Sequence, residues 1–179
     1  MPLVTEPVRV EAGEFVLRPY RDDDVDDLLR TCRDPEIARW NPQASEQDAV
    51  ERLVAQRNDW SGGVNLSWVV ADAASDALLG WVSLFDIDHH HGTGMLGYGT
   101  APWARRRGVA VAGVLAASRF GWEQVGLHRV QLFHAVENEA SCAVARKAGF
   151  VLEGTTRQSW KYPDGCHHDE HLHGRLVTD

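Results

Sequence analysis

Residues 97–110 read GYGTAPWARRRGVA, and this segment decides how the rest of the chain is interpreted. A short strand, Met95–Thr100, leads into it, and a helix rich in alanine and valine begins at Gly108. The first backbone N–H groups of a helix have no acceptor within the helix, and the helix dipole makes that end positive. Gly108 permits close approach of an anion, and three consecutive arginines add charge. The segment therefore predicts a binding site for a di- or polyphosphate.

Two common phosphate motifs are absent from the chain. It contains neither the GxxxxGK[ST] loop nor the GxGxxG dinucleotide fingerprint. From these residues alone a second interpretation stays open, in which the arginines form a solvated loop and Gly108 only begins a helix. An unrelated polyphosphate-binding module would also fit the segment taken by itself.

The charge distribution supports an anion site in the middle of the chain. The 179 residues have a formal net charge of −8, which disfavours a nucleic-acid partner. Residues 1–99 contain 8 basic and 18 acidic side chains, whereas residues 100–150 contain 7 basic and 3 acidic ones. The basic segment is the one that contains the arginines, so we expect a compact anion to bind there.

Composition predicts one soluble domain over residues 1–179. Hydrophobic residues make up 44% of the chain, enough for a core without metal or disulfide support. No apolar run is long enough to cross a membrane, and no secretory signal is recognisable. The three cysteines are an odd number without a CxxC pair, which is typical of reduced thiols, so we expect a cytoplasmic protein.

Hydrophobic periodicity predicts an α/β fold of order β-α-α-β-β-β-α-β-α-β-β, with helices packed on a central sheet. The predicted strands are 14–18, 66–71, 78–87, 95–100, 129–136, 150–160 and 168–177. The predicted helices begin at Asp22–Asp24 and end before Pro35, and then cover 45–60, 108–125 and 141–148.

Five ordered stretches give the chain a family resemblance. Arg105, Gly108 and Ala110 occupy the fixed positions of the R/Q-x-x-G-x-G/A motif that binds acyl-CoA in the GCN5-related N-acetyltransferases (GNAT). The chain resembles the RimJ/RimL-like branch of that superfamily. The other matching stretches are Leu17–Tyr20, Asp34–Trp40, Gly126–Val130, and Glu137–Ser141 continuing into Lys147–Gly154. One departure is Arg106, where many relatives have glycine.

The resemblance implies the GNAT acyl-CoA N-acyltransferase fold, with a mostly antiparallel central sheet, and acetyl-CoA as co-substrate. In such a fold the backbone amides of the arginine segment would hold the pyrophosphate. The strand end would pair with the pantetheine arm, and the N-x-x-S pair would contact pantetheine and sulfur. The implied cofactor-binding residues are Gly99, Thr100, Arg105, Arg106, Arg107, Gly108, Val109, Ala110, Asn138 and Ser141.

The family transfers acetyl directly to a primary amine, which requires a proton donor for the departing thiolate and a path for the proton that the amine loses. Ser141 could protonate the sulfur or could cap a helix. A strand N–H in Met95–Thr100 would stabilise the oxyanion. The base is open among Asp86, the nearby Asp88, His134 and Glu137, and a water relay is an alternative. His134 could equally be a structural histidine of the sheet.

The acceptor is open between a protein α-amino group and a small cationic amine such as an aminoglycoside-type antibiotic. A CoA-binding sensor without catalysis is a further alternative. Trp40 and Asn41 begin the loop that binds the acceptor in the family, although Trp40 could also only pack. No metal is expected, because the nine histidines look like exposed turn and strand residues, including His171 and His173 on one strand face. The branch resemblance implies a homodimer.

Overall fold

The computed structural model describes residues 3–41 and 60–179, and these residues form a sheet of eight strands. In chain order the strands are β1 (Val10–Ala12), β2 (Phe15–Arg18), β3 (Leu66–Asp72), β4 (Leu78–Asp88), β5 (Thr93–Thr100), β6 (Arg129–Ala135), β7 (Val151–Lys161) and β8 (His167–Leu176). The α-helices are α1 (Val25–Cys32), α2 (Pro35–Trp40), α3 (Val109–Phe120) and α4 (Glu139–Lys147). Within the described ranges, no helix is both long and apolar enough to cross a membrane.

The strand order across the sheet is β1-β2-β3-β4-β5-β6-β8-β7. Every neighbouring pair is antiparallel except β5 and β6, which are parallel. The parallel pair needs a long crossover, and α3 lies in that connection. The mixed α/β fold with a mostly antiparallel sheet is therefore confirmed.

Helix α3 packs closely on the centre of the sheet. A Cβ added at Gly113 would lie 3.0 Å from a methyl group of Val70, so glycine lets the helix approach the strands. Further along the helix, Phe120 makes an edge-to-face contact with Trp68, with the ring centroids 5.3 Å apart. These contacts fix the position of α3, and so of the turn before it, relative to β3.

A buried ion pair joins β2 to the turn before α1. Arg18 donates two hydrogen bonds to the carboxylate of Asp24, at 2.8 and 2.7 Å, and its guanidinium also donates to the carbonyl of Asp76 at 3.0 Å. Both side chains are almost fully buried. Arg18 belongs to the first stretch that resembles the family, and here it has a structural role.

Several predicted boundaries need correction. Strand β1 and helix α2 were not predicted. The helix predicted to continue to Val125 leaves α-helical geometry after Phe120, and residues Gly121–Val125 form a π turn. Helix α4 begins at Glu139 rather than Ser141. The helix predicted over 45–60 lies outside the described residues, except that Trp60 belongs to a 3-10 turn, Trp60–Gly62.

Candidate active site

The arginine turn, Arg105–Gly108, connects the end of β5 to α3. Its backbone enters left-handed geometry twice, at Arg106 (φ 63°) and at Gly108 (φ 84°). Glycine adopts such angles without a steric cost, so a glycine would suit the position of Arg106. Arginine adopts them with a strain of about 1–2 kcal/mol. Gly108 is the N-cap of α3 and has no side chain to cap it.

The first amides of α3 are available to an anion. The first amide to donate within the helix is that of Ala112, which bonds the carbonyl of Gly108 at 2.9 Å. The N–H groups of Val109, Ala110 and Val111 therefore have no acceptor in the helix. A Cβ built on Gly108 would meet no atom within 4 Å, so the space in front of the turn is open. This combination is the geometry of a phosphate site.

Two of the three arginines of the turn are already paired with carboxylates. Arg105 donates a short hydrogen bond to Asp34, and Arg107 forms an ion pair with Asp72 at 3.1 Å. Arg106 is exposed and makes no ion pair within the part of the chain that the structure describes. The net positive charge at the turn is consequently smaller than the arginine triplet suggests, so the backbone amides carry more of the anion site.

A cleft opens between the two parallel strands. Strand β5 pairs with β4 from Thr93 to Thr100, but it pairs with β6 only over Thr93–Met95. Beyond Met95 the strands diverge, while β6 stays paired with β8 along its whole length. We call the space between residues 96–100 and residues 132–135 the β5–β6 cleft. The facing edge of β5 offers backbone donors and acceptors to an extended, amide-containing group.

Glycine shapes the β5 side of the cleft. A Cβ at Gly99 would lie 2.1 Å from the indole of Trp81, whose ring occupies that side of the strand. A Cβ added at Gly97 would lie 3.2 Å from the ring of Phe85. Residues with side chains at these positions would displace the aromatic rings of β4.

Helix α4 presents Asn138 and Ser141 beside the cleft. The N-cap of this helix is Asn138, whose Oδ1 accepts a hydrogen bond from the amide of Ser141 at 3.0 Å. Ser141 is therefore not the cap, which corrects one of the two roles expected for it. The hydroxyl of Tyr98 donates to the carbonyl of Ser141 at 3.3 Å and links β5 to α4. Burial raises the pKa of Tyr98 to about 12, so this donor stays protonated.

An acidic pocket of about 380 Å³ follows the end of β6. Its lining residues are Val136, Glu137, Gln158, Asp164, Cys166, His167, His168 and Asp169. His168 lies between two of the carboxylates, with ring nitrogens 2.8 Å from Asp164 and 3.4 Å from Glu137. The hydrogen bond to Asp164 raises the pKa of His168. Three carboxylates beside two histidines make this pocket suitable for a cation.

The base candidates occupy different parts of the molecule. Glu137 is exposed in the acidic pocket, directly after β6. Asp86 is exposed. The strand register places it beyond the pair Phe85–Met95, at the end of the cleft where β5 and β6 are joined. Asp88 accepts hydrogen bonds from the amides of His90 and His91 and so caps a turn.

His134 lies away from the pocket, in the buried part of β6. Its Nδ1 is 2.8 Å from the carbonyl of Ala135, and its Nε2 is 3.2 Å from Nε2 of His173. Burial lowers the pKa of His134, and it lowers that of His173 to about 4. His173 is fully buried and His171 is half-buried, so the expectation of exposed strand histidines is wrong for these two residues.

The expected acceptor-binding residues lie at the end of α2. The ring of Trp40 makes an edge-to-face contact with Tyr162, with centroids 5.9 Å apart, and so brings α2 against the turn between β7 and β8. Its Nε1 donates to Glu36 at 2.8 Å. Asn41 ends α2 by donating its amide to the carbonyl of Ile37. Trp40 thus packs near the residues that lead into the acidic pocket.

Residues 14–151 match the family model described as an acetyltransferase (GNAT) domain. The chain belongs to the GNAT family. This GNAT protein is an N-acetyltransferase that depends on acetyl-CoA. The match includes residues 105–110, the predicted acyl-CoA motif.

Two curated relatives and one solved structure illustrate the similarity of this GNAT protein. YoaA of Bacillus subtilis (strain 168), an uncharacterised N-acetyltransferase, is 24% identical over 170 residues, which are 92% of this chain and 94% of YoaA. YdaF of the same organism, provisionally named a ribosomal N-acetyltransferase, is 33% identical over 93 residues, 52% of this chain and 50% of YdaF. RimJ of Mycobacterium smegmatis, solved with CoA-disulfide, has a TM-score of 0.82 at 22% identity, covering 96% of this chain and 86% of RimJ.

Proposed function

We propose that this GNAT protein acetylates the α-amino group of a protein or peptide, with acetyl-CoA bound between the arginine turn and the β5–β6 cleft. The observation that carries the proposal is the set of three features around the β5–β6 cleft. The free amides of α3 follow the end of β5, the open edge of β5 lines the cleft, and the acidic pocket follows the end of β6. A phosphate, a pantetheine arm and an ammonium group, respectively, match these features.

The pyrophosphate would bind the amides that begin α3, together with Arg106, which has no ion-pair partner in residues 3–41 and 60–179. The pantetheine arm would pair with the backbone of Gly99 and Thr100. The side-chain NH₂ of Asn138 is a suitable donor to the same arm, because its Oδ1 is already used by the cap. Binding at several points holds the thioester in register with the amine, which lowers the barrier by several kcal/mol.

The reaction needs no nucleophile from the protein. The amine nitrogen attacks the thioester carbon, the carbon–sulfur bond breaks, and the products are an N-acetyl amide and CoA. A backbone N–H of β5 would stabilise the oxyanion. Glu137 is our candidate to accept the amine proton, directly or through water, since it lies in the acidic pocket. Ser141 is our candidate to return a proton to the CoA thiolate.

An α-amino group is favoured as acceptor by the chain's resemblance to the RimJ/RimL-like branch and by its similarity to YdaF, which is named a ribosomal N-acetyltransferase. The second candidate is a small polycationic amine, such as a polyamine or an aminoglycoside-type antibiotic. The carboxylates of Glu137, Asp164 and Asp169 favour it, because they could bind several ammonium groups at once.

Thiol release from acetyl-CoA distinguishes these acceptors. The purified protein would be incubated with a peptide that has a free N-terminus, the same peptide with a blocked N-terminus, spermidine and an aminoglycoside. We expect release with the free peptide and none with the blocked one. Release only with the small amines would support the second candidate. Binding of CoA without release on any amine would instead favour a non-catalytic sensor.

Three further expectations belong to this proposal and rest on the sequence and the family resemblance. They are a single domain over residues 1–179, a cytoplasmic location and a homodimer. Light scattering coupled to size-exclusion chromatography tests the last of these directly.

A further inference from the structure

Three histidines from two strands meet under helix α4. His134 on β6 is the cross-strand partner of His171 on β8, and His173 follows two residues later on the same face of β8. Cys142 of α4 completes the group. One ligand atom from each of the four side chains lies within 4.8 Å of the other three. We call these four residues the histidine–cysteine cluster.

The hydrogen bonding of the cluster is incomplete. Nδ1 of His171 and Nδ1 of His173 are buried and have no partner among the described residues. Buried polar atoms without partners are costly, and each one calls for an explanation such as a bound ion. An ion bound through Nδ1 of His171 would satisfy one of these two atoms. His173 is fully buried and faces His134 with Nε2, so its own Nδ1 would stay without a partner in the described part of the chain.

His134 is held in the form that binds metal. Its Nδ1 lies 2.8 Å from the carbonyl oxygen of Ala135, so Nδ1 carries the hydrogen and Nε2 presents a lone pair. A backbone carbonyl that fixes the ring in this way is the usual outer partner of a metal-binding histidine. The lone pair of Nε2 points towards His173, whose Nε2 is 3.2 Å away.

That separation fits a tetrahedral ion. Two nitrogens bound to one tetrahedral zinc ion at about 2.0 Å lie about 3.3 Å apart. Three imidazoles and one thiolate are a donor set of the type that Zn²⁺ prefers over the hard cations Mg²⁺ and Ca²⁺. Cys142 and His171 are only half-buried, which leaves a route for the ion to enter.

We propose that His134, Cys142, His171 and His173 form a Zn²⁺ site that fastens α4 to β6 and β8. On binding, the thiol of Cys142 loses a proton to solvent and its thiolate becomes the fourth ligand. Cys142 directly follows Ser141 on helix α4. The ion would therefore stabilise the helix that faces the β5–β6 cleft, as a structural group that takes no part in acetyl transfer.

Cobalt substitution tests the site with a readout independent of acetylation. Tag-free protein would be freed of metal with a chelator, which is then removed, and titrated with Co²⁺. We expect one ion per chain, the intense visible bands of tetrahedral cobalt, a thiolate-to-cobalt band in the near ultraviolet, and displacement by Zn²⁺. Zn²⁺ should also raise the melting temperature of the metal-free protein.

Cys142→Ser should lose the thiolate band and bind Zn²⁺ at least ten-fold more weakly. Cys166→Ser is the matched control, since Cys166 is an exposed cysteine outside the cluster, and it should keep both properties. His171→Gln is a second test at a half-buried position, with exposed His167→Gln as its control. The proposal is overturned if the wild type binds no Co²⁺, if the cobalt spectrum is octahedral, or if Cys142→Ser and His171→Gln both match the wild type.

Discussion

Asp34 and Arg105 are 71 residues apart in the chain and share a hydrogen bond at the edge of the arginine turn. The same carboxylate oxygen of Asp34 also accepts the amides of Glu36 and Ile37, at 3.1 Å each, and so caps α2. One side chain thereby connects the helix that bears Trp40 to the turn proposed to bind pyrophosphate. In the proposed function, this link would hold the acceptor side and the CoA side of the molecule in register.

The first prediction concerns Asp34→Asn and pH. Burial opposes the charge of Asp34, but the hydrogen bonds from Arg105, Ile37 and Glu36 outweigh it and lower the pKa of Asp34 below 3.8. A carboxyl group with a lowered folded-state pKa stabilises the protein above its unfolded pKa, and this contribution is lost as pH falls through the folded value. Asparagine keeps the cap and removes the charge, so the variant should be about 0.5–1 kcal/mol less stable at neutral pH.

Urea unfolding at several pH values measures this difference. The gap between wild type and Asp34→Asn should be constant at neutral pH and should shrink once the pH falls below the ordinary carboxyl pKa of 3.8. Asp26→Asn, an exposed change on α1, is the control and should show no such trend. A gap that grows on acidification would contradict the role given to Asp34.

The second prediction separates backbone strain from anion binding at Gly108. Alanine there should cost about 1–2 kcal/mol of stability, because the residue has φ 84°. Its methyl group would also project into the open space before the α3 amides, so the Kd for CoA should rise at least ten-fold. Gly13→Ala is the matched control, with φ 73° and likewise no atom within 4 Å of the added Cβ. It should lose similar stability and keep its CoA affinity, as calorimetry can measure.

The third prediction divides the two roles of Asn138. Asp is as good an N-cap as Asn, so Asn138→Asp should unfold at nearly the wild-type urea concentration. It replaces the NH₂ donor with an acceptor, and we expect CoA to bind about ten-fold more weakly. Asn138→Ala should lose both properties, with about 1 kcal/mol less stability. Unchanged CoA affinity in Asn138→Asp would remove Asn138 from the pantetheine site.

The fourth prediction tests the proposed base. Glu137→Gln should lower kcat by about 10²-fold or more, the usual contribution of general base catalysis, with little change in the Kd for CoA. Asp86→Asn is the control, because Asp86 lies where β5 and β6 are joined. Its kcat should stay within about two-fold of the wild-type value, far less than the loss expected for a general base. Equal losses in the two variants would argue that proton removal does not depend on Glu137.

The local parts of the site were predictable from the sequence. Gly108 and the arginines mark the turn because a helix start with a glycine N-cap has a strong local signature. The strands on either side follow from alternating hydrophobicity. Ser141 was harder, since a serine and an asparagine three residues apart can each cap a helix, and only the backbone of α4 identifies Asn138 as the cap.

The contacts between distant residues were not predictable. The ion pairs of Arg105 and Arg107 use carboxylates far away in the chain, so the sequence overstated the free positive charge of the turn. His134 meets His171 and His173 only because β8, and not β7, lies beside β6. Because β8 lies between β6 and β7, His134 and His173 are buried, although the pattern of a single strand predicts no such burial.

A crystal structure of the protein with CoA tests the central claim most directly. The account predicts the pyrophosphate within hydrogen-bonding distance of the amides that begin α3, and the pantetheine arm between residues 96–100 and the diverging part of β6. Density for CoA elsewhere, with the arginine turn free of phosphate, would contradict the account.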